Sequence, residues 1–318
     1  MSDTQTIRLG ISSCLLGENV RYDGNHKLDR YLRDIVGPFV TWVPVCPEVD
    51  CGMTVPREAM RLVGDPARPR LVTRSTGIDL TDQMETWAMR RVRELEKEDL
   101  CGYVFKSKSP SSGMAGVKVY SEKGHPAKKG SGIFARIFMD HFPLLPVEDE
   151  GRLNDAGLRE NFLERVFVFA RWRALLEAGG SLGALVDFHA CHKLLVMGHS
   201  PKHLRLLGRI VAEGKGRKKA ELHADYLSTL TDALKLKATV PKNTNVLQHV
   251  MGYFKKDLSP DEKQELLEVI ERYRRGLVPL VVPVTLLNHY VRKFDEPYLK
   301  GQVFLDPHPA ELMLRNHV

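Results

Sequence analysis

Through the first half of the chain, short apolar runs end in polar breaks bearing glycine, proline or serine. In the second half, apolar residues recur three and four positions apart over long stretches. The runs IRLGISSC, FVTWVPVC and LCGYVFK read as three strands. Between them, HKLDRYLRDIV places Leu28, Tyr31, Leu32 and Ile35 on one helical face, and TDQMETWAMRRVRELEKE reads as a long amphipathic helix capped by Thr81. Strands alternating with helices predict an open, mostly parallel α/β sheet.

Near HFPLLPVEDEGRLNDAGLREN, two prolines and an acidic run read as a linker. Beyond it, LRENFLERVFVFARWRALLEA, SLGALVDFHACHKLLVMG, AELHADYLSTLTDALKL and SPDEKQELLEVIERYRRG are each amphipathic. The last opens with a capping box from Ser259 to Glu262. The expected organisation is an α/β domain over residues 1–145 followed by an all-α domain over 146–318.

In an open α/β sheet, ligands bind beyond the carboxyl ends of the strands. Three polar segments fall there. Cys14 follows the first strand, Cys46 and Glu48 follow the second, and the loop Ser109–Gly113 follows the third. Soft thiolates where loops converge favour zinc or an iron–sulfur cluster, whereas Cys101 and Cys191 read as buried thiols. RYDGNHK, with Arg21, Asp23, His26 and Lys27, is either a plain Asp–Gly turn or a polar wall orienting an anionic or heterocyclic substrate. VPREAMRLVGD reads as a proline-started helix with Arg57 and Arg61 exposed, or as an arginine pair facing phosphate.

Composition narrows the classes. Five cysteines in 318 residues are too few and too scattered for a disulfide framework. The longest apolar run, LVPLVVPVTLL, is broken by two prolines and is too short to span a bilayer. A polar N-terminal segment and no membrane span make a cytoplasmic location the expectation. Residues 1–150 hold 21 Lys+Arg against 21 Asp+Glu, so the net charge of +7 falls entirely in the second half. There, Lys215, Arg217, Lys218 and Lys219, and further on Lys255 and Lys256, lie among Tyr253, Phe254 and Tyr273. That is a pattern suited to a nucleic-acid backbone and unstacked bases, or to a solvated helix face. His189, His192 and His199 share one region, but with no carboxylate nearby in the motif they do not read as a metal site.

Taken together, SSCLLGENVRYDG, PVCPEVDCGMTVPREAMRL and FKSKSPSSGMAGVKVY resemble the thiouracil desulfidase domain family. The second half resembles a domain commonly fused to it, through FHACHKLLVMGHSP, NVLQHVMGYFK, PLVVPVTLLNHYV and ELMLRN. Proteins of this two-domain arrangement are similar to tRNA 4-thiouridine desulfidases. The resemblance implies a 4Fe–4S cluster on three protein ligands with one iron left open to bind sulfur. It also implies non-redox conversion of 4-thiouridine in tRNA to uridine, with tRNA as partner. By that resemblance Cys14 and Cys46 are cluster ligands, Glu48 is the catalytic carboxylate and Ser109 relays protons. Arg21, Asp23, Lys27, Arg57 and Ser111 then contact substrate, and the basic residues of the second half grip RNA. The family's third ligand is a cysteine at the position of Ser112. Either Ser112 is a substituted cysteine, or its alkoxide serves, or another thiol replaces it, and Cys51 is the expected replacement.

Overall fold

The computed structural model describes residues 7–121 and 125–317. The chain divides into two compact units, Met1–Asp155 and Ala156–Val318.

In the first unit, β1 (Arg8–Ser12), β2 (Thr41–Val45), β5 (Gly102–Phe105) and β8 (Val147–Asp149) form a parallel sheet in the order β2-β1-β5-β8. The boundary falls later than residue 145 because β8 pairs with β5, with Tyr103 opposite Val147. Buried β-branched and leucine side chains favour these strands, and parallel pairing buries both faces. One face carries Tyr103 and Phe105, two positions apart. Phe138 of α3 (Ile133–His141) packs on them at ring distances of 4.7 and 5.4 Å. Trp87 of α2 (Thr81–Leu95) meets Phe134 of α3 at 5.4 Å.

A second sheet was not visible in the sequence pattern. It comprises β3 (Met60–Val63), β4 (Arg70–Thr73), β6 (Val117–Tyr120) and β7 (Pro126–Gly130), in the order β4-β3-β6-β7, with only β3–β6 parallel. The helix expected over VPREAMRLVGD is therefore a correction: Leu62 and Val63 are buried, and β3 pairs along both edges. The helix expected over HKLDRYLRDIV shrinks to a wide turn, Tyr31–Val36. Its first residues stay extended because the Lys27 and Asp29 amides bond back to the carbonyls of Cys14 and Leu15, both at 2.9 Å. Thr81 is not the cap of α2. Its hydroxyl accepts from Leu71 N at 2.8 Å and donates to Asp79, tying the helix start to β4.

The second unit is helical: α4 (Ala156–Glu177), α5 (Leu182–His199), α6 (Pro201–Ala212), α7 (Lys219–Lys235), α8 (Val240–Tyr253), α9 (Pro260–Arg274) and α10 (Val281–Lys293). The Ser259–Glu262 capping box is present at the start of α9. The core centres on Trp172 stacked on Tyr226, ring centroids 5.5 Å apart. Phe254 and Tyr273 belong to it, so of the three aromatics expected beside RNA only Tyr253 is exposed. No helix among the described residues is long and apolar enough to cross a membrane.

Candidate active site

The carboxyl ends of β1, β2 and β5 open into a cleft of about 380 Å³. Cys14 enters it from a tight helical turn, Ser13–Leu16, directly after β1. Cys46 ends β2 and starts α1 (Pro47–Asp50), with Pro47 in the first helical position, where its missing N–H costs nothing. Both cysteines are buried. Burial first, and the Glu48 carboxylate second, push both thiols up, Cys14 to about 11 and Cys46 to about 12. The Cys46 thiol points at Glu48 Oε2, 3.5 Å away.

Glu48 is the hub. Its Oε1 accepts from the Ser111 hydroxyl at 2.5 Å and lies 3.5 Å from Ser109 Oγ; the two serine oxygens are 2.9 Å apart. Arg57 stands on the other oxygen at 3.7 Å, and its guanidinium also donates to Val20 O at 3.0 Å. Ser111 is fully buried and off the cleft lining, while Ser109 lines it. Ser111 therefore holds the carboxylate from behind instead of meeting substrate, a correction to its expected role.

The serine loop is fixed by α3. The first N–H groups of a helix lack intrahelical partners. Here Ile133 N bonds to Pro110 O at 3.2 Å and Ala135 N to Ser111 O at 3.1 Å. Such close backbone approach requires glycine: a Cβ on Gly132 would lie 2.5 Å from Ser111 O, and one on Gly113 would lie 2.7 Å from Ser109 O.

Around the cleft, Arg21, Lys27, Arg57, Arg74, Lys106 and Lys108 face a single lining carboxylate, Glu48. Asp23 is off the lining and pairs with Arg21 at 3.3 Å. Lys106 and Arg74 escaped the sequence reading. Lys106 was legible as the first residue beyond β5, but its anchor was not: Glu150, far along the chain, pairs with it and accepts from Ser107 N at 2.6 Å.

Cys51 is not in the cleft. It lies with Asp50, Asp82, Gln83 and Arg90 around a separate shallow depression, its thiol 3.3 Å from the Glu48 carbonyl. Cys46 precedes the start of α1 and Cys51 follows its end, so the turn carries the two thiols to different places. The expectation of Cys51 beside Cys14 and Cys46 is thus corrected, and Ser112, 2% exposed, is the residue that lines the cleft with them. Among the described residues no group of three His, Cys, Asp or Glu could hold a metal ion. The cleft's donor set is two sulfurs plus the Ser112 hydroxyl. This set fits an iron–sulfur cluster anchored mainly through sulfur.

The three histidines of the helical unit do not converge on one point. His189 meets the Tyr226 hydroxyl at 3.1 Å, and His192 donates to Phe188 O at 2.7 Å. His199 lies between Glu164 Oε1 at 2.5 Å and Leu236 O at 2.6 Å. Glu164 in turn is 3.3 Å from Arg315. A cavity of about 140 Å³ adjoins this network, whose charges are spent on one another. Of the basic residues singled out for RNA, Lys215, Lys218, Lys219, Lys255 and Lys256 are exposed and Arg217 is half-buried. Arg217 pairs with Asp225, Lys218 with Glu221, and Lys219 bonds to Gly179 O.

The 2-thiouracil desulfurase family matches residues 9–150, the part of the chain that forms the α/β unit and its cleft. A second family, described as a protein of unknown function (DUF1722), matches residues 193–309. The chain belongs to the same family as the uncharacterized protein YbgA of Escherichia coli (strain K12), to which it is 32% identical over 158 residues, 49% of this chain and 94% of that protein. It is also similar to the uncharacterized protein YbbK of Bacillus subtilis (strain 168), 26% identical over 132 residues, 40% of this chain and 86% of that protein. Among solved structures, the [4Fe-4S]-dependent thiouracil desulfidase TudS matches at 25% identity and a TM-score of 0.39, over 47% of this chain and 95% of that one.

Proposed function

We propose that this chain removes sulfur from a thiolated uracil by an iron–sulfur-dependent, non-redox hydrolysis, and that its substrate is 4-thiouridine in tRNA. The observation that carries the chemistry is Glu48, held between Ser111 and Arg57 at the cleft where Cys14 and Cys46 meet. Water adds to the thiocarbonyl carbon and hydrogen sulfide leaves, so C=S becomes C=O without change of redox state. A 4Fe–4S cluster, held by Cys14 and Cys46 with Ser112 at the third place, would supply an iron that accepts the departing sulfur. Glu48 takes the proton from water, the role of a positioned general base. Ser109, 3.5 Å from that carboxylate, carries the proton onward to the ring or to sulfide. Arg57 and Ser111 fix the carboxylate's rotamer.

The helical unit is the proposed RNA grip, supported by the charge excess of residues 151–318 and by exposed Lys215, Lys255 and Lys256. A base inside folded tRNA must leave its stack at a cost of roughly a few kcal/mol, which phosphate contacts can offset. The same cleft supports a second reading, hydrolysis of the free base or nucleotide.

One comparison separates them: sulfide release from thiolated tRNA, 4-thiouridine monophosphate and 4-thiouracil, each with wild type and Glu48→Gln. Faster turnover of tRNA, and loss of at least about 100-fold in Glu48→Gln with tRNA affinity intact, is the expected result. Equal rates on tRNA and free base favour the second reading. Unchanged sulfide release in Glu48→Gln would overturn the chemistry.

A further inference from the structure

Among the described residues lining the cleft, Tyr22 is the only aromatic side chain, and it is 44% exposed. An exposed ring at a cleft mouth leaves apolar surface in water unless a ligand covers it. This ring is also held in place from several directions. The chain turns back at Arg21–Gly24, where Gly24 N donates to Arg21 O at 3.0 Å and Gly24 adopts φ +73°. Asp23 grips the Arg21 guanidinium through two contacts of 3.3 Å and also accepts from Asn25 N at 3.2 Å. The guanidinium carbon lies 5.5 Å from the Tyr22 ring centroid, a cation–π distance. On the far side of the turn, the Tyr22 carbonyl accepts from Arg57 N at 2.9 Å. Arg57 is the residue that also steadies Glu48.

We infer that Tyr22 is the stacking platform for the substrate's pyrimidine ring, and that it sets a requirement for a flat ring. The inference deepens the proposed function and rests on it for the identity of the ring. A planar heterocycle stacks on an aromatic face whatever its substituents, because every base presents a π face. The Arg21–Asp23 pair fixes the plane of the Tyr22 ring. Arg57 couples the platform to the catalytic carboxylate through consecutive backbone and side-chain bonds. In RYDGNHK the charged residues stand out by type, whereas the tyrosine among them is marked only by its place at the cleft.

The test is equilibrium binding by calorimetry on the full chain, isolated anaerobically, with two unreactive probes. Uridine has a flat, fully conjugated ring, whereas dihydrouridine, saturated at C5–C6, is puckered and lacks a continuous flat π face. Wild type should bind uridine at least ten-fold more tightly than dihydrouridine. Tyr22→Phe and Tyr22→Trp should keep that ratio within about two-fold, and Tyr22→Ala should erase it while circular dichroism stays unchanged. An equal affinity for both probes in wild type, or a ratio that survives in Tyr22→Ala, overturns the platform. Sulfide release from 4-thiouridine with Tyr22→Ala behaving as wild type would sink the platform and leave the desulfidase reading standing. A Tyr22-dependent preference for uridine, with no sulfide released from any thiolated substrate, would do the reverse.

Discussion

Cys46 and Cys51 are separated by a single helical turn, and that turn decides which of them can serve the cleft. In anaerobic iron and acid-labile sulfide assays, Cys14→Ala and Cys46→Ala should lose the cluster, whereas Cys51→Ala should keep wild-type content. If Ser112 is the third anchor, Ser112→Cys should slow iron loss on exposure to air, because a thiolate holds iron more tightly than an alkoxide. Iron stripped by Cys51→Ala alone would mean that the turn rearranges on loading. At this scale the sequence was informative about which residues gather at the cleft and less so about how each is held there. Cys14, Cys46, Glu48 and Ser109 were legible because each follows a recognisable strand, and strand ends in a parallel sheet converge. The place of Ser111 behind Glu48 was not. Ser109 and Ser111 sit in one loop, and only its docking onto α3 turns Ser111 inward.

Among the elements, the start of α3 is the support on which the serine loop rests. Gly132→Ala should push Ser111 off Glu48, since its Cβ would lie 2.5 Å from the Ser111 carbonyl carbon and oxygen. Turnover should fall by about ten-fold or more and the melting temperature should drop, by a mechanism of backbone displacement. A variant with wild-type turnover would show that the loop holds its shape without α3.

In the helical unit, Glu164 reaches His199 from another helix, and Arg315 completes the group. Both imidazole nitrogens face acceptors, so the ring is a cation. Burial alone would lower the His199 pKa, but Glu164 outweighs it and holds the imidazole above its ordinary 6.5. Burial would likewise raise Glu164, yet His199 and then Arg315 hold it down at about 2. The stability contributed by Glu164 is present above its ordinary 4.5 and lost as pH falls toward about 2. That contributed by His199 is complete below 6.5 and lost as pH climbs through the raised value. Melting of the full chain across pH should therefore show both an acid and an alkaline arm. His199→Gln should flatten the alkaline arm and cost about 3 kcal/mol, leaving a buried carboxylate short of a partner. The carboxylate was absent from the sequence reading because Glu164 and His199 meet only in the packed bundle. β3 and the shortened turn at Tyr31–Val36 were missed for a related reason: local spacing permitted helix, and bonds to distant residues chose otherwise.

For the molecule as a whole, charge asymmetry is the property most readily tested. Affinity for tRNA should fall steeply with salt, log K declining linearly with log salt concentration. The pair Lys255→Ala and Lys256→Ala should shallow that slope by about one for each phosphate left without its lysine, while release of sulfide from the free base is unchanged. A flat salt response in wild type would remove RNA from the account of the helical unit. Another whole-chain property follows from the parallel pairing of β1 with both β2 and β5. Ser12 aligns with Val45 and Ile11 with Val104, so the cleft closes only after its third wall, far along the chain, has been synthesised and docked. Pairings this remote in sequence are slow to form. On the ribosome, both cysteines emerge well before Ser109, Ser111 and Ser112. If the serine loop supplies the third anchor, cluster insertion should follow its synthesis, and a nascent chain halted short of that loop should hold two thiols but no complete site to receive iron.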